Sequence, residues 1–300
     1  MAVHGGAGPD SGHIKENKQG YELGLKKALD AGYKILENGG SAVEAVEAAV
    51  NELENNPLFN AGRGSAINNK GEVEMDASIM DGSNLKAGAV SMVKNIKNPV
   101  SLARFIMYNT NHILLSGNGA VELATDAGIE LETDAYFVTE HQYDLFMEDR
   151  DKESVDDMLK KRVHGTVGAV AFDSKGNLGA ATSTGGTTNS LDGRIGDSCI
   201  IGAGCYANNN TCAVSGTGDG EFLISGVVAH SISSAIELAN HTMQEACDFV
   251  IHQKNKDIEG DIGVISIDSK GNFGIAFNSE RLHRAWQSTD IPQQVRIYQA

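Results

Sequence analysis

Two segments of this chain repeat one hairpin pattern, which restricts the folds that are open to it. VGAVAFDSKGNLGAATST spans residues 167–184 and IGVISIDSKGNFGIAFNS spans residues 262–279. In each, an Asp-Ser-Lys-Gly-Asn turn separates two runs of small and apolar residues, which predicts two strands joined by a tight turn. Strands of this composition suit a sheet that is covered on both faces. The repeated pattern therefore predicts sheets layered between helices.

The rest of the chain adds helices and one further hairpin. Helices are expected over residues 22–38, ahead of a Gly-Gly stop, and directly after a capping box formed by Ser41 and Glu44. Apolar periodicity predicts further helices over residues 99–108, 119–128, 139–147, 220–237 and 243–252. Alternation around Asn-Lys-Gly predicts a hairpin over residues 65–82. MAVHGGAGPDSG, at the chain start, predicts a short strand that breaks into a glycine loop.

A single domain over residues 1–300 accommodates these elements, because a layered α/β fold of this length has one large core. Residues 147–163 depart from the pattern. Eleven of these 17 residues are charged, which predicts a mobile surface linker.

The charge balance limits the possible partners. Forty acidic and 24 basic residues give a formal net charge of −16, which repels the phosphate backbone of a nucleic acid and an anionic membrane alike. The apolar runs fall short of the roughly 20 residues of a membrane span, and no basic-then-apolar leader opens the chain. We therefore expect neither partner. The cysteines match neither a zinc spacing nor a dense disulfide framework, and buried thiols are expected at Cys199, Cys205, Cys212 and Cys247.

Two glycine-rich segments fit phosphate binding poorly. HGGAGPDSG is not followed by Gly-Lys-Ser/Thr, and GAGCYA (residues 202–207) precedes NNNTCAVSG rather than a helix N-terminus that could hold a pyrophosphate. The nine histidines lack the HxxxH or HExxH spacing of a metal site. Nucleotide binding and histidine-ligated metals are therefore not expected.

The junction HGTVGAVAFD, at residues 164–173, indicates an unusual nucleophile. A strand Thr is ordinarily just a β-branched residue that suits a pleated surface. Thr166, however, follows a charged segment with exposed, cleavable backbone. Because Gly165 has no Cβ, the Thr166 hydroxyl can approach the Gly165 carbonyl. Cleavage there would free an α-amine, whose ordinary pKa of about 7.7–8.0 suits a general base for the hydroxyl of the same residue. The uncut chain would then be inactive.

Seven motifs occur in order along the chain: HGGAG (residues 4–8), PLFNAGRGS (57–65), MDASIMDG (75–82), HGTVGAVAFD (164–173), ATSTGG (181–186), GRIGDS (193–198) and GTGDGE (216–221). Together they resemble the plant-type asparaginase/isoaspartyl peptidase branch of the N-terminal-nucleophile hydrolases. The resemblance implies an αββα four-layer sandwich, self-cleavage between Gly165 and Thr166 into an α subunit (residues 1–165) and a β subunit (166–300), and a homodimer of cleaved protomers.

The same resemblance implies a set of site residues. Thr166 is the expected nucleophile, and Thr184 supports its hydroxyl. Arg194 and Asp197 are expected to hold a substrate's α-carboxylate and α-ammonium, which suits a guanidinium fork and a carboxylate. Without the neighbouring motifs, GRIGD would indicate only a surface ion pair. The other candidates are Thr217 and Gly218 as an oxyanion hole, Asn60 as a polar contact near the nucleophile and Gly220 at the substrate.

No cofactor is implied for catalysis, but the segment LENNPLFNAGR resembles a sodium-binding loop of the family. The implied ligands are main-chain carbonyls of Leu53, Glu54, Asn56, Phe59, Ala61 and Arg63. Such an ion would be structural.

The resemblance implies an amidohydrolase that converts L-asparagine into aspartate and ammonia and releases the aspartyl residue from β-aspartyl dipeptides. Gly165 stands where glycosylasparaginases tend to have Asp, which disfavours a role in glycoprotein degradation. Two alternatives stay open: a taspase-like threonine endopeptidase that cuts after an internal Asp, and a non-maturing homologue that binds aspartate without turnover. The expected compartment is the cytoplasm, or the periplasm or exterior if a leader has been removed, since only Met1-Ala2-Val3 precede HGGAG.

Overall fold

Helices and sheets are stacked in four layers in the computed structural model, which describes residues 1–150 and 165–299. The helices are α1 (Gly12–Glu16), α2 (Lys18–Glu37), α3 (Ala42–Glu54), α4 (Pro99–Asn109), α5 (Gly117–Asp126), α6 (Asp134–Phe137), α7 (Glu140–Arg150), α8 (Gly220–Gly226), α9 (Val228–Ala239) and α10 (Met243–Asp248). The strands are β1 (Ala2–Gly8), β2 (Met75–Asp81), β3 (Ala87–Val93), β4 (Leu114–Ser116), β5 (Val167–Phe172), β6 (Leu178–Thr184), β7 (Cys205–Ala207), β8 (Cys212–Gly218), β9 (Ile262–Asp268), β10 (Phe273–Phe277), β11 (Arg281–Trp286) and β12 (Gln294–Tyr298).

The strands form two sheets of unequal size. The large sheet has the order β12-β11-β1-β5-β6-β2-β3-β4, and the small sheet has the order β10-β9-β8-β7. Among the described strands, every neighbouring pair is antiparallel except β3 and β4. Both repeated hairpins are confirmed, and they lie in different sheets: β5 and β6 in the middle of the large sheet, β9 and β10 at one edge of the small one.

Three apolar clusters fill the spaces between the layers, and they confirm the αββα sandwich. Helices α2, α3 and α4 cover the outer face of the large sheet around Leu25 and Ile79. Leu178 and Ile265 belong to the cluster between the two sheets. Helices α9 and α10 cover the outer face of the small sheet around Val264. All four cysteines are buried and unpaired, as expected.

Most predicted helices are confirmed with shifted ends. The capping box before α3 is complete, because the Glu44 N–H donates to Ser41 Oγ at 3.2 Å and the Ser41 N–H donates to Glu44 Oε2 at 2.9 Å. The helix expected over residues 220–237 is instead two helices, because Val227 has a φ of 46° in the left-handed region. The helix expected to run to residue 252 becomes π-helical at Phe249.

The stretch Gly220–Ala239 is long and apolar enough to cross a membrane by length and composition alone. In this structure it is broken at Val227 into α8 and α9. Val228, Ala229 and Ile232 of α9 are fully buried in the cluster that covers the small sheet. Its apolar residues therefore serve the core of the fourth layer.

The hairpin expected over residues 65–82 is wrong. Among the described residues, 65–74 form no strand, and β2 alone pairs with β3 and β6. The side chain of Asn68 accounts for the difference, because its Oδ1 accepts the N–H groups of Lys70 at 2.9 Å and Glu72 at 3.0 Å. These local bonds take up donors that a strand ladder would need.

Two further expectations are adjusted at the chain start and before the cleavage motif. Strand β1 runs through the whole of HGGAG to Gly8, with a register shift between His4 and Ala7. The predicted linker over residues 147–163 overlaps α7, which ends at Arg150. Residues 151–163 of that linker and His164 lie outside the described residues.

Two leucines of α2 test the placement of the first helical layer. Leu25 is fully buried, whereas Leu23 is 53% exposed. We expect Leu25→Ala to lower the free energy of unfolding by about 2–5 kcal/mol, since it removes buried apolar surface and leaves a cavity. The matched variant Leu23→Ala should change it by less than about 0.5 kcal/mol. Denaturant unfolding of both variants measures the difference, and equal losses would contradict this orientation of α2.

Candidate active site

Thr166 lies at the start of β5, in the middle of the large sheet. Val167 pairs with Ser183 of β6, so the next position in the register places Thr166 opposite Thr184. Both threonines are buried, with exposed fractions of 4% and 3%. The Thr184 hydroxyl oxygen accepts the N–H of Gly186 at 3.1 Å, which orients that hydroxyl where β6 ends. The two threonines that the sequence predicted to act together are therefore neighbours.

Thr217 of β8 reaches Thr166 from the small sheet. The Thr166 N–H donates to Thr217 Oγ1 at 3.4 Å, and Thr217 Oγ1 donates to the Thr166 carbonyl at 3.3 Å. The N–H of Ala7 in β1 also donates to Thr217 Oγ1, at 3.2 Å. Gly218 follows as the last residue of β8. The nitrogen that cleavage would convert into an α-amine therefore lies beside the predicted oxyanion-hole hydroxyl.

Close approach of the backbone explains Gly6, the second glycine of HGGAG. Gly6 has a φ of +111°, and a Cβ on it would lie 2.9 Å from Gly165 Cα. Any side chain there would displace the cleavage junction. Asn60 borders the same junction from another direction, since a Cβ on Gly165 would lie 3.4 Å from Asn60 Cβ. The junction is thus enclosed by β1 and by the loop that carries Asn60.

Asn60 is fixed by two hydrogen bonds of its side chain. Its Nδ2 donates to the Gly186 carbonyl at 2.7 Å, and its Oδ1 accepts the Ala66 N–H at 2.7 Å. The Gly185 N–H donates to the Asn60 carbonyl at 3.0 Å. Asn60 therefore joins its own loop to the segment directly after Thr184, as expected for a polar contact near the nucleophile.

Arg194 and Asp197 lie in the loop that follows β6 and enters a short 3-10 helix at Asp197–Cys199. Arg194 Nε and Nη2 donate to Glu221 Oε1 and Oε2 at 3.0 and 2.9 Å, which is a bidentate ion pair. Arg194 Nη1 takes no part in this pair. Asp197 is only 2% exposed, and among the described residues its Oδ2 has no hydrogen-bond partner. Burial raises the pKa of Asp197 to about 7, against the lowering effect of Arg194.

Gly220 lies against both Arg194 and Asp197. A Cβ on Gly220 would lie 2.8 Å from Arg194 Nη2 and 2.9 Å from Asp197 Oδ1. A side chain at Gly220, the first residue of α8, would therefore collide with both groups. The structure brings together the predicted substrate-binding residues Arg194, Asp197 and Gly220, with a buried carboxylate oxygen left for a cationic group.

Asp76 of β2 is a buried carboxylate that sequence reasoning did not single out. It pairs with Thr184 in the β2–β6 register and is 4% exposed. Its Oδ1 accepts the Met92 N–H at 3.0 Å, and its Oδ2 accepts the Gly196 N–H at 3.0 Å. Burial raises the pKa of Asp76 to about 6, with the two N–H bonds acting in the opposite direction. The sequence carries only a partial signal, because MDASIMD places Asp76 between two apolar residues but does not show which donors the carboxylate accepts.

Glu54, the last residue of α3, is a second such carboxylate. It is fully buried, and its Oε1 accepts the Ser183 hydroxyl at 2.7 Å and the Val100 N–H at 3.0 Å. Its Oε2 accepts Asn98 Nδ2 at 3.0 Å. Burial raises its pKa to about 7, although these bonds lower it. Glu54 thus ties α3 and α4 to β6 one residue before Thr184, and an acidic residue at a helix end gives no sequence signal for this role.

His4 completes the polar contacts between the sheets. Its Nε2 lies 2.9 Å from Ser215 Oγ, which in turn lies 2.7 Å from Thr182 Oγ1. Complete burial lowers the pKa of His4 to about 3, so the ring is neutral. These contacts join β1 and β6 of the large sheet to β8 of the small sheet.

The loop predicted to bind sodium folds back on itself through main-chain bonds. The Glu54 carbonyl accepts the Arg63 N–H at 2.7 Å, and the Phe59 carbonyl accepts the Ala61 N–H at 3.0 Å. Each carbonyl oxygen has a second lone pair, so these bonds leave acceptor capacity for a cation. The carbonyls of Leu53 and Asn56 are engaged in the same way, by the N–H groups of Asn56 and Phe59. The sodium ion itself stays a prediction.

Comparison with known proteins gives one family along the chain. The profile of the family described as asparaginase matches residues 1–297. The isoaspartyl peptidase of Escherichia coli strain K12 is 42% identical over 294 residues, which cover 95% of this chain and 92% of that protein. The isoaspartyl peptidase/L-asparaginase of Homo sapiens is 42% identical over 293 residues, or 97% and 91% of the two chains. That of Xenopus laevis is 43% identical over 282 residues, or 94% and 90%. The chain belongs to the asparaginase family.

Proposed function

We propose that this protein is a threonine-dependent amidohydrolase that hydrolyses L-asparagine and releases the aspartyl residue from β-aspartyl dipeptides. The names of its relatives, isoaspartyl peptidase and L-asparaginase, support both substrates. The observation that carries the proposal is the convergence of Thr166, Thr184 and Thr217 from two sheets beside Gly165. This arrangement is suited to a nucleophile whose own α-amine is the base.

The reaction begins after cleavage of the Gly165–Thr166 peptide. The free α-amine of Thr166 takes the proton of the Thr166 hydroxyl, and the hydroxyl oxygen attacks the β-carbonyl carbon of the substrate. Thr184, which already accepts the Gly186 N–H, keeps its own proton to donate towards the nucleophile. The ammonium form of Thr166 then protonates the departing ammonia or amine. Water hydrolyses the resulting ester by the same steps, which releases aspartate and restores the hydroxyl.

The negative charge that develops on the carbonyl oxygen needs fixed donors. The Thr217 hydroxyl and the Gly218 N–H occupy the end of β8, next to the Thr166 backbone. Because both belong to a strand paired with β7 and β9, their backbone is fixed before the charge forms. The Thr217 hydroxyl, which donates to the Thr166 carbonyl, would turn its single proton towards the oxyanion. This hydroxyl and the Gly218 N–H are the proposed oxyanion hole.

Recognition of the substrate depends on its free α-ammonium and α-carboxylate. The ammonium would supply the partner that Asp197 Oδ2 lacks among the described residues, and the carboxylate would bind Arg194 on the edge that carries Nη1. An internal Asp of a protein has no ammonium there, so its binding would leave a buried carboxylate unpaired. This contrast favours the exopeptidase and asparaginase activities over a taspase-like endopeptidase.

Maturation gives the first test of the proposal. Wild-type protein should migrate on a denaturing gel as two fragments, residues 1–165 and 166–300, and light scattering of the native sample should give the mass of two cleaved protomers. Thr166→Ala should remain one chain and release no ammonia from L-asparagine above background, because it removes the nucleophile of both reactions. Thr166→Ser keeps a hydroxyl and an α-amine and should retain part of each activity.

Other outcomes point to the alternatives. An active wild-type sample that stays uncut would contradict the mechanism. Cleavage of an internal Asp-containing peptide would indicate the taspase-like function. Binding of aspartate without cleavage or turnover would indicate the non-maturing homologue.

The pH dependence of kcat/KM tests the role of Asp197. Its carboxylate must be ionised to pair with the substrate ammonium, and burial raises its pKa to about 7. The Thr166 amine must be neutral, with an ordinary pKa of about 7.7–8.0. Activity should therefore fall as the pH drops below about 8, through the ionisation of the amine and then that of Asp197. Asp197→Asn should lose about 10²–10³-fold in kcat/KM, as expected for breaking a buried charge pair, and should retain one ionisation on the acid side. An unchanged two-step acid limb in this variant would exclude Asp197 from it.

The proposal includes a structural sodium ion in the loop of residues 53–63. Its ligands would be the main-chain carbonyls named above, and its contribution would be to hold the loop that carries Asn60. We expect a higher thermal midpoint in sodium chloride than in tetramethylammonium chloride of equal ionic strength, since ligand binding to the folded state stabilises it. Equal midpoints in the two salts would contradict a bound ion.

A further inference from the structure

We propose that Asp76 is a positioning residue that fixes the substrate-binding loop to the strand beside the nucleophile. This inference rests on the proposed function, because it concerns how Arg194 and Asp197 are held. The Gly196 N–H, which lies between those two residues, donates to Asp76 Oδ2 at 3.0 Å. The residue opposite Asp76 in the β2–β6 register is Thr184. Asp76 thus lies on the strand position opposite the nucleophile's support, while its side chain bonds the loop that would bind the substrate.

Asp76 is the central member of a row of side chains on one face of β2. Alternate residues of a strand point to the same face, so Asp76 and Ser78 of β2 form this row together with Glu74, which directly precedes the strand. Glu74 Oε2 accepts the Gly193 N–H at 3.1 Å, and Ser78 Oγ donates to the Ser198 carbonyl at 2.5 Å. The loop from Gly193 to Ser198 is therefore held at three successive points. Gly196, which Asp76 holds, is the one of these three loop residues that lies nearest in sequence to both Arg194 and Asp197.

The two acceptor oxygens of a carboxylate explain why this position carries Asp. Its Oδ1 accepts the Met92 N–H of β3 while its Oδ2 accepts the Gly196 N–H, so both oxygens are used. An Asn in the same place would present an NH2 group to one of the two N–H donors. Both donors would then compete for a single oxygen, and one buried N–H would be left without a partner.

The charge of Asp76 also acts on the two substrate-binding groups. Arg194 lowers the pKa of Asp76 by attraction, and Asp76 raises the pKa of Asp197 by repulsion. Glu74 also raises the pKa of Asp76, and Glu221 also raises the pKa of Asp197. Asp76, Asp197 and Glu221 are the three carboxylates that act on Arg194, and this excess of negative charge attracts a further cation, which the substrate ammonium would supply. Asp76 thereby contributes to the recognition of the ammonium without touching the substrate.

The test compares Asp76→Asn with Asp81→Asn, the same substitution at the other end of β2. Asp81 accepts the Ser83 N–H at 2.9 Å in the turn after the strand, away from the loop of residues 193–198. We expect Asp76→Asn to cleave at Gly165–Thr166 like the wild type and to raise the KM for L-asparagine and the dissociation constant of L-aspartate. The loss in kcat/KM should be about 10²-fold, as expected when substrate-positioning groups shift by about 1 Å. Asp81→Asn should match the wild type in each measurement.

A second readout separates positioning from a general loss of folded protein. Without the charge of Asp76, the pKa of Asp197 should fall, so the lower of the two ionisations on the acid limb of kcat/KM should move to lower pH. A variant that is merely less folded would keep the KM and the pH profile of the wild type and lose only the amount of active enzyme. A matured Asp76→Asn with wild-type KM and aspartate affinity, or with a lower kcat alone, would overturn the inference.

A third variant keeps the test open if Asp76→Asn does not fold. Ser78→Ala removes the neighbouring contact to the Ser198 carbonyl with a small change in volume. It should raise KM more than it changes kcat, and an unchanged KM would overturn the docking of the loop on β2. If instead the wild type itself turned over neither substrate, the proposed function would fail first, whereas an active wild type with unaffected variants would reject this inference alone.

Discussion

The contact between Thr217 of the small sheet and the backbone of Thr166 in the large sheet is the constraint on which the rest of this structure depends. Its hydroxyl exchanges hydrogen bonds with the N–H and the carbonyl of Thr166, at 3.4 and 3.3 Å. Two sheets approach this closely only where the residues between them are small. Gly168 of β5 meets that condition, because a Cβ on it would collide with Ser215 Oγ of β8. This glycine, two residues after Thr166, therefore follows from the close approach of the two sheets.

The sequence predicted the fold well where a pattern is local. The Asp-Ser-Lys-Gly-Asn hairpins and the Ser41 capping box are confirmed, because turn and cap chemistry depends on a few adjacent residues. The hairpin over residues 65–82 failed, since the side chain of Asn68 took the N–H groups that alternation alone assigned to a ladder. The break at Val227 was also missed, because its left-handed conformation goes against what a β-branched residue prefers.

Only those residues of the candidate site whose roles follow from recognisable motifs could be predicted from the sequence. Thr166, Thr184 and Thr217 were named from their motifs, and the structure brings them together, the first two across one hairpin and Thr217 from a strand of the other sheet. Asp76 and Glu54 were not named from the sequence, because their roles depend on burial and on N–H donors contributed by other elements. An acidic residue in a sequence gives no sign of whether Val100 or Gly196 will aim an N–H at it. Long-range partners of this kind require the fold to be known.

The buried carboxylates show how the site is prepared for a cationic ligand. Burial raises the pKa of Asp197 to about 7 and that of Asp76 to about 6. A carboxyl with a raised folded pKa holds its proton more tightly in the folded than in the unfolded state, so it favours folding at low pH. This contribution is lost as the pH rises from the unfolded value of about 4 through the raised one. Near neutrality the unliganded site therefore bears a cost in stability, which the proposed substrate ammonium beside Asp197 would offset. That difference between the unliganded and the liganded site would select a substrate with a free α-ammonium over one without it.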